Sequence, residues 1–574
     1  MGIKPTEQDL EANWIYNKIQ KNTSFSERGI NIIDNNFNAI AGFEYRDAFN
    51  EMKETLCDTL HATCLVGLRR TGKSIMLMQA KKYLIDSGIK EEEILHVSLS
   101  ARHENMMLNR DNVDIAKISN KNIIYPKLND LAELIEVENI DNKLKFVFID
   151  EVTLCEEFIL NSKGLLDKLM LQGIKILLAG TESASFIIAN NEALFARLKI
   201  IDISFISFGE YCRLKKLNVN TYDEKRKALD KYVKHGNILD DTVEIDDKYI
   251  ESSVGINLAL SIINSDNTLF SSNLKDIAQN IIKYLKLLGE TISLDRINDA
   301  ISRSNISKAI KNINKRKNEK ITLSKSKRST LAVNSANKYF KQYKLSLDRS
   351  EIEMTSEQLN EVDEIFNNMG MLYSLTRMPL LKIDGALESD DIYTIHGILF
   401  TIGESLVNYI KNSTDLGLSE EEIEELSNNI EETLYGNIIE NIIVMHYIKE
   451  IEKKHKLNSQ LTYYDKFKAK RKSTRPYLYK YRELIGEGDT AEIDIVVHGK
   501  NKLSLIEVKR SSEIVDNQTR WLRNEEVCNR IREIIADKEL EKFVYYLGEP
   551  KNVDGIRYVN VADALLSLYE QSRK

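Results

Sequence analysis

The chain has 574 residues, 42% of them hydrophobic and 29% charged, with a formal net charge of −8. That length exceeds one ordinary domain and that charge argues against a wholly basic nucleic-acid coat, although an average hides local patches. No apolar run approaches the roughly 18 residues a bilayer span needs, and the start MGIKPTEQDL lacks the basic-then-apolar plan of a secretory signal. The expectation is a cytoplasmic protein with no membrane partner, although the first residues formally fit the myristoylation pattern M-G-x-x-x-S/T. The five cysteines contain no C-x-x-C pair and the eight histidines no zinc-like spacing, so the thiols are read as reduced and buried.

Residues 1–50 are polar and mixed, and read as an N-terminal arm with a lead-in helix. From 51 to 215 short β-branched runs (ATCLVG, EILHVSLS, KFVFID, IKILLAG) alternate with helical stretches such as SIMLMQAKKYLIDSG. Strands interleaved with helices predict a parallel sheet covered on both faces. Residues 216–435 read as mainly helical, SEQLNEVDEIFNNMGMLYSL being one such stretch, with a basic, Ser- and Asn-rich segment at 303–344. From 436 to 574 strand-like hairpins return between two helices.

Residues 67–74, GLRRTGKS, fit G-x-x-x-x-G-K-S/T in full, after the strand-like TCLV and at the start of a helical run. Gly67 and Gly72 let the backbone curl, so that amides from Arg70 and Thr71 onward converge on phosphate oxygens. Lys73 is placed to reach the β- and γ-phosphates and Ser74 to ligate Mg²⁺. The strand KFVFID ends in Asp150 and Glu151, at the sheet edge where such ligands bind; Asp150 is assigned to Mg²⁺ and Glu151 to orienting the attacking water. A third strand, IKILLAGTES, ends in Thr181, a candidate γ-phosphate sensor, and Arg197 in LFARLKII is a candidate arginine finger. Together GLRRTGKS, FVFIDEV, LLAGTES and FARLKIIDISFISFGEY resemble the prokaryotic AAA+ ATPases of the archaeal-ATPase type, related to the STAND signalling NTPases. Glu182 departs from the small residue usual there. The resemblance implies an ATP-binding and ATP-hydrolysing domain over 51–215.

The stretch EIDIVVHGKNKLSLIEVKR, residues 492–510, reads as a hairpin with a tight turn at Lys500-Asn501. Counting outward sets Asp494 opposite Glu507 and Glu492 opposite Lys509, with all four on one face. Ile493, Ile495, Val497, Ile506 and Val508 then form the other, buried face. Facing carboxylates call for a cation, and an oxygen-lined pocket suits Mg²⁺ or Mn²⁺. Upstream, YGNIIENIIVMHYIKE is an apolar helix with one acid, Glu440, which needs a partner when buried. Glu440, Asp494 and Glu507 are therefore candidate metal ligands, with Lys509 beside them. This set resembles the core of PD-(D/E)XK nucleases in helix–strand–strand order, Gly436 to Glu440, Glu492-Ile493-Asp494-Ile495 and Ile506-Glu507-Val508-Lys509 matching its pieces. Gln518 resembles a helix Gln of some relatives.

Between helix and hairpin, KKHKLNSQLTYYDKFKAKRKSTRPYLYKYR interleaves Lys and Arg with Tyr and Phe, the ingredients of nucleic-acid contact. The expected architecture is α/β: a P-loop AAA+ parallel-sheet domain, a helical, winged-helix-like middle region at 216–435, and a C-terminal α/β restriction-endonuclease-like domain at 436–574. The expected function is an ATPase whose nucleotide gates or assembles a Mg²⁺-dependent endodeoxyribonuclease, with DNA ahead of RNA as partner and homo-oligomers compatible with an arginine finger. By resemblance, the role is prokaryotic defence or genome maintenance. The alternative is a nucleotide-dependent switch that carries an inactive nuclease fold and binds nucleic acid or protein.

Overall fold

A computed structural model of the protein describes residues 25–35, 37–67, 70–100, 102–103, 106–107, 123–155, 158–180, 194, 197–235, 239, 372–378, 382–383, 386–387, 391–394, 411, 420–455, 478–485, 489–514, 519–535 and 539–573. The chain divides into two compact units, the first running through Phe205 and the second beginning with Ile206–Asn237 and holding the C-terminal part of the chain.

The first unit is built on six strands: β1 (Ile30–Ile32), β2 (Ala62–Val66), β3 (Ile94–Leu99), β4 (Phe146–Asp150), β5 (Lys175–Gly180) and β6 (Leu198–Asp202), in the order β1-β3-β4-β5-β2-β6. All neighbours are parallel except β1, which pairs antiparallel with β3. Every residue of β2, β4 and β5 is buried, the mark of strands covered on both faces. Their alternate side chains divide between two cores. Cys64, Val66, Val147, Ile149, Ile176 and Leu178 pack with Leu131 and Leu134 of α3 (Leu128–Glu138) and with Leu166 and Leu169 of α4 (Lys163–Leu171). Leu65, Phe148, Leu177 and Ala179 pack with Phe49 and Met52 of α1 (Ala48–Thr55) and with Met76, Leu77 and Ala80 of α2 (Lys73–Asp86). At about 1.5–3 kcal/mol for each buried aliphatic or aromatic side chain, this double burial fixes the strand ends that follow. The segment read as a polar arm supplies Phe25 and Ile30 to the first core and β1 to the sheet edge.

The second unit starts with α5 (Phe208–Leu214) and α6 (Tyr222–His235). Its sheet has eight strands: β7 (Leu372–Met378), β8 (Asp391–Thr394), β9 (Leu478–Ile485), β10 (Asp489–His498), β11 (Lys502–Val508), β12 (Glu539–Tyr546), β13 (Lys551–Val553) and β14 (Ile556–Asn560), ordered β8-β7-β9-β10-β11-β12-β14-β13. β7 lies inside the stretch read as helical. LYSLTRM instead pairs parallel with β9, Thr376 against Tyr479, and antiparallel with β8, Leu372 against Thr394. The long helix α7 (Glu420–His455) packs against the C-terminal α9 (Val561–Arg573), while Val527, Cys528 and Ile531 of α8 (Glu525–Ile535) cover one face of the sheet.

The ISFGEY segment, residues 206–211, belongs to this second unit. The Phe208 amide donates to His446 Nε2 of α7 (2.8 Å), Arg213 Nε to the Tyr569 hydroxyl (3.3 Å), and Lys225 pairs with Asp563 (2.7 Å). A Cβ at Gly209 would lie 2.2 Å from Tyr569 Cδ1, so only glycine allows α5 to lie this close to α9. Among the described residues no helix is long and apolar enough to cross a membrane. Cys64, Cys155, Cys212 and Cys528 are buried as expected; Cys57 is exposed.

Candidate functional site

Two groups of charged side chains stand out, one in each unit. In the first unit, parallel packing brings the C-terminal ends of β2 and β4 to the same sheet edge, on either side of β5. Gly67 follows β2 directly, and a Cβ there would lie 3.1 Å from both Thr71 Oγ1 and the Ser204 amide. Arg70 (φ 64°) and Gly72 (φ 97°) both take left-handed backbone angles, which turns the loop tightly into α2. The amide ends of α2 therefore face the space over the sheet edge, where a helix N-terminus favours phosphate. Lys73, the first residue of α2, is buried and donates its ammonium to the Gly67 carbonyl (2.8 Å).

Asp150, at the end of β4, is 7% exposed and accepts a hydrogen bond from the Ser74 hydroxyl and from the Glu151 amide (2.9 Å). Burial raises its pKa to about 6, and the neighbouring Glu151 charge adds to this; Ser74, the Glu151 amide and Lys73 act against it. Glu151 itself has φ 52°, a left-handed angle that costs a non-glycine residue on the order of 1 kcal/mol and turns its side chain out of the strand direction. A buried acid only partly compensated by Lys73, beside a hydroxyl and under a helix N-terminus, is a donor set that fits Mg²⁺ with a nucleotide phosphate.

In the second unit the charges gather around β9, β10 and β11. The β10–β11 hairpin pairs Ile495 with Ile506 and His498 with Leu503, and the Gly499 amide closes the turn on the Lys502 carbonyl (2.9 Å). One more step in that register sets Asp494 across from Glu507. Asp494 Oδ2 accepts the Val508 amide (2.7 Å), and Glu507 Oε2 takes the Lys509 ammonium (2.7 Å). On the other side of β10 the ladder slips: Tyr479 pairs with Val496 and Tyr481 with Ile493, so Asp494 and Ile495 together oppose Lys480 alone. This is a β-bulge, and it re-aims the side chains that follow it. Lys480 is 2% exposed, and its ammonium lies 3.2 Å from Glu440 Oε1 of α7 and 2.9 Å from Glu492 Oε1.

Burial raises the Asp494 pKa, as does the Glu440 charge, against Lys509 and Lys480. Burial lifts Glu507 well above the usual carboxylate range, with Asp494 adding to it and Lys509 opposing. Burial would lower Lys509, but Asp494 and Glu507 outweigh it and leave the amine raised. Glu440, Asp494, Glu507 and Lys509 are thus one electrostatic group. They do not form the three-acid cage expected from the sequence: among the described residues no three His, Cys, Asp or Glu side chains converge to hold a metal ion. Lys480 takes Glu440, while Asp494 Oδ1 and Glu507 Oε1 accept no hydrogen bond among the described residues.

The AAA domain family matches residues 60–212, the stretch from the start of β2 through most of α5. This segment is thus similar to an AAA domain. No curated protein matches the chain. Among solved structures it is similar to the closed state of Hsp104 with ATPγS and FITC-casein (17% identity, 44% of this chain and 40% of that one, TM-score 0.21) and to the Saccharomyces cerevisiae Hsp104–ADP complex (15%, 75% and 61%, TM-score 0.26). It is also similar to a Walker-type ATPase of Pyrococcus abyssi (14%, 63% and 95%, TM-score 0.24). The chain spans less than two thirds of either Hsp104 structure, and likenesses this distant carry no functional argument.

Within the AAA domain the structure gathers Gly67, Arg70, Thr71, Gly72, Lys73, Ser74, Asp150 and Glu151 at one edge. Thr181 lies outside the described residues. Arg197 is not brought to this edge. It precedes β6, its carbonyl accepts the Ala62 amide at the opposite end of β2, and its guanidinium grips Asp167 at 2.7 and 3.2 Å. A five-residue parallel strand separates it from the loop, roughly 16 Å at 3.3 Å per residue.

Arg46 was missed. This buried guanidinium donates to the Thr71 carbonyl of the loop and to the carbonyls of Ile203 (3.4 Å) and Phe205 (3.1 Å). Nothing in FEYRDAF marks it.

In the second unit the bulge corrects two expectations. Glu492 meets Lys480 instead of Lys509, and Ile493 joins a core with Val496, Leu505 and Tyr481, apart from Ile495. Lys480 and Tyr481, read as part of the basic, aromatic tract, are interior. The rest of that tract between 456 and 477, the segment 303–344 and Gln518 lie outside the described residues.

Proposed function

We propose that the protein is an ATP-controlled, metal-dependent nuclease, in which the AAA domain binds and hydrolyses ATP and its state gates or assembles a C-terminal domain that cuts DNA. In the AAA domain Lys73 would serve the β- and γ-phosphates, Ser74 and Asp150 are the residues that would hold Mg²⁺, and Glu151 would orient the attacking water. An arginine finger from Arg197 would serve a neighbouring copy, which makes a homo-oligomer part of this reading.

The observation that carries the nuclease half is the Asp494–Glu507–Lys509 group. A buried carboxylate, Glu507, and a half-buried one, Asp494, each with an oxygen lacking a hydrogen-bond donor among the described residues, lie beside the half-buried Lys509 amine. A purely structural sheet gains nothing from such charges, because desolvation offsets their attraction. Asp494 and Glu507 are the residues that would hold Mg²⁺ or Mn²⁺. A divalent ion held by them would supply a more acidic water and positive charge to offset a phosphate. The Lys509 ammonium, held by Glu507, keeps a fixed positive charge where the pentavalent phosphate would develop negative charge. The exposed Arg482, at the end of the basic tract, suits a phosphate backbone. Defence against foreign DNA or genome maintenance follows from family resemblance alone.

One observation favours the second reading, a nucleotide-dependent switch with an inactive nuclease fold. Glu440 is bound to Lys480, and no three acids converge among the described residues. Nicking of supercoiled plasmid by the full-length protein with Mg²⁺ or Mn²⁺ separates the two. The nuclease reading expects cleavage that falls at least about 100-fold in Asp494→Ala and in Lys509→Ala. Cleavage that is equal in all three proteins would remove the assignment.

A further inference from the structure

Two groups that belong to no motif grip the phosphate loop from outside, both within the first unit. Arg46 is buried just before α1, and Gln79 of α2 holds the stretch leading to it through the carbonyls of Phe43 (3.3 Å) and Glu44 (3.4 Å). One guanidinium nitrogen of Arg46 donates to the Thr71 carbonyl, and the other reaches the carbonyls of Ile203 (3.4 Å) and Phe205 (3.1 Å). That second anchor is tied to the sheet: the Ile203 amide donates to the Val66 carbonyl at the end of β2 (2.8 Å), and the Ser204 amide to Asp202 Oδ1 (2.8 Å). The other group is the Leu239 amide, which donates to the Arg70 carbonyl (3.4 Å). A Cβ on Gly72 would lie 3.7 Å from Leu239 Cδ1 and 4.0 Å from Arg46 Cγ, so both groups flank the same residue of the loop.

A trans peptide points its carbonyl and the following amide in opposite directions. With the Arg70 carbonyl drawn to Leu239 and the Thr71 carbonyl to Arg46, the Thr71 and Gly72 amides are turned away from both. We propose that Arg46, together with the Leu239 amide, is a positioning clamp for the phosphate loop: it fixes two successive peptides so that the amides of Thr71 and Gly72 are preset for the phosphates of a nucleotide. The inference rests on the nucleotide-binding reading given above and deepens it. A cradle held in its binding form avoids the cost of ordering when the ligand arrives. The planar fork of arginine suits the task, because it spans the loop and the end of β6 at once where a single ammonium would reach one of them.

The test is titration of the full-length protein with ATP and Mg²⁺, and with tripolyphosphate, which offers phosphates and no base. Arg46→Lys keeps the charge and loses the fork, and it should weaken both ligands by the same factor, about 10-fold or more. Leu239→Pro removes the N–H donor and should weaken both about 3- to 10-fold, whereas Leu239→Ala keeps the donor and should stay within about twofold. A merely structural arginine would lower Tm and leave the affinities of the folded protein alone. Weaker ATP binding with tripolyphosphate unaffected would place Arg46 at the base and overturn the clamp. Lys73→Ala tests the nucleotide reading separately. If it abolishes binding while folded Arg46→Lys binds as the wild type does, the clamp is overturned and the nucleotide reading stands; if the wild type binds neither ligand, both fall. Where Arg46→Lys does not fold, Leu239→Pro decides, and wild-type affinity in that variant overturns the clamp.

Discussion

The nucleotide edge of the AAA domain and the charged group of the second unit handle the same problem, buried carboxylates, in opposite ways. At the nucleotide edge one acid, Asp150, is left short of positive charge, because Lys73 spends its hydrogen bond on the Gly67 carbonyl. In the proposed function a bound nucleotide and its Mg²⁺ would make good the deficit. In the second unit the acids are largely matched inside the protein, Glu440 and Glu492 by Lys480 and Glu507 by Lys509. The difference teaches that a site waiting for an outside partner shows itself by what it lacks, and a site with built-in cations by how few charges remain over.

Three measurements would break or sharpen that contrast. The largest effect is expected at the edge that depends on its ligand. Lys73→Ala should lower ATP affinity by at least about 100-fold, whereas Glu151→Gln should keep affinity and lose at least about 100-fold in hydrolysis; nucleotide titration and phosphate release measure the two. Normal hydrolysis by Glu151→Gln would mean that another group orients the water.

A smaller effect follows from the raised pKa of Asp150. The folded protein keeps its proton up to about pH 6, while the unfolded chain releases it near the ordinary 3.8. The group's stabilising contribution is therefore full below about pH 4 and is lost as the pH rises through 6. Asp150→Asn should then raise the stability of the nucleotide-free protein at pH 8 by on the order of 1–3 kcal/mol and flatten its pH dependence between 4 and 7. Denaturant unfolding across that range tests it, and a loss of stability at pH 8 would show that Asp150 is already compensated.

The smallest effect is expected at Arg197. Its pairing with Asp167 is partly exposed, so Arg197→Ala should cost under about 1 kcal/mol and leave ATP affinity within about twofold. A tenfold loss of affinity would place Arg197 at its own chain's nucleotide.

Much of this was legible in the residues. The alternation of apolar strands with helices predicted the parallel sheet, because strands buried on both faces must be apolar throughout, as FVFID is. GLRRTGKS was readable because a phosphate loop is contiguous: its glycines, lysine and hydroxyl act on one short piece of backbone. The turn at 499–501 fixed the β10–β11 register in the same way, through local geometry. Arg46, Lys480 and the bulge were not readable. Arg46 acts through carbonyls more than 150 residues further along, and Lys480 joins a helix acid 40 residues before it to a strand acid after it. Strict alternation, the rule that placed Glu492 with Lys509, fails where one inserted residue re-aims a strand.

The sequence by itself determined the elements whose causes are local: the phosphate loop, the buried strand ending in two acids, and the hairpin with its turn. Tertiary structure alone decided which charges meet. A buried ion pair depends on desolvation and on angstrom-scale approach between distant segments, and neither quantity is written in the order of residues along the chain.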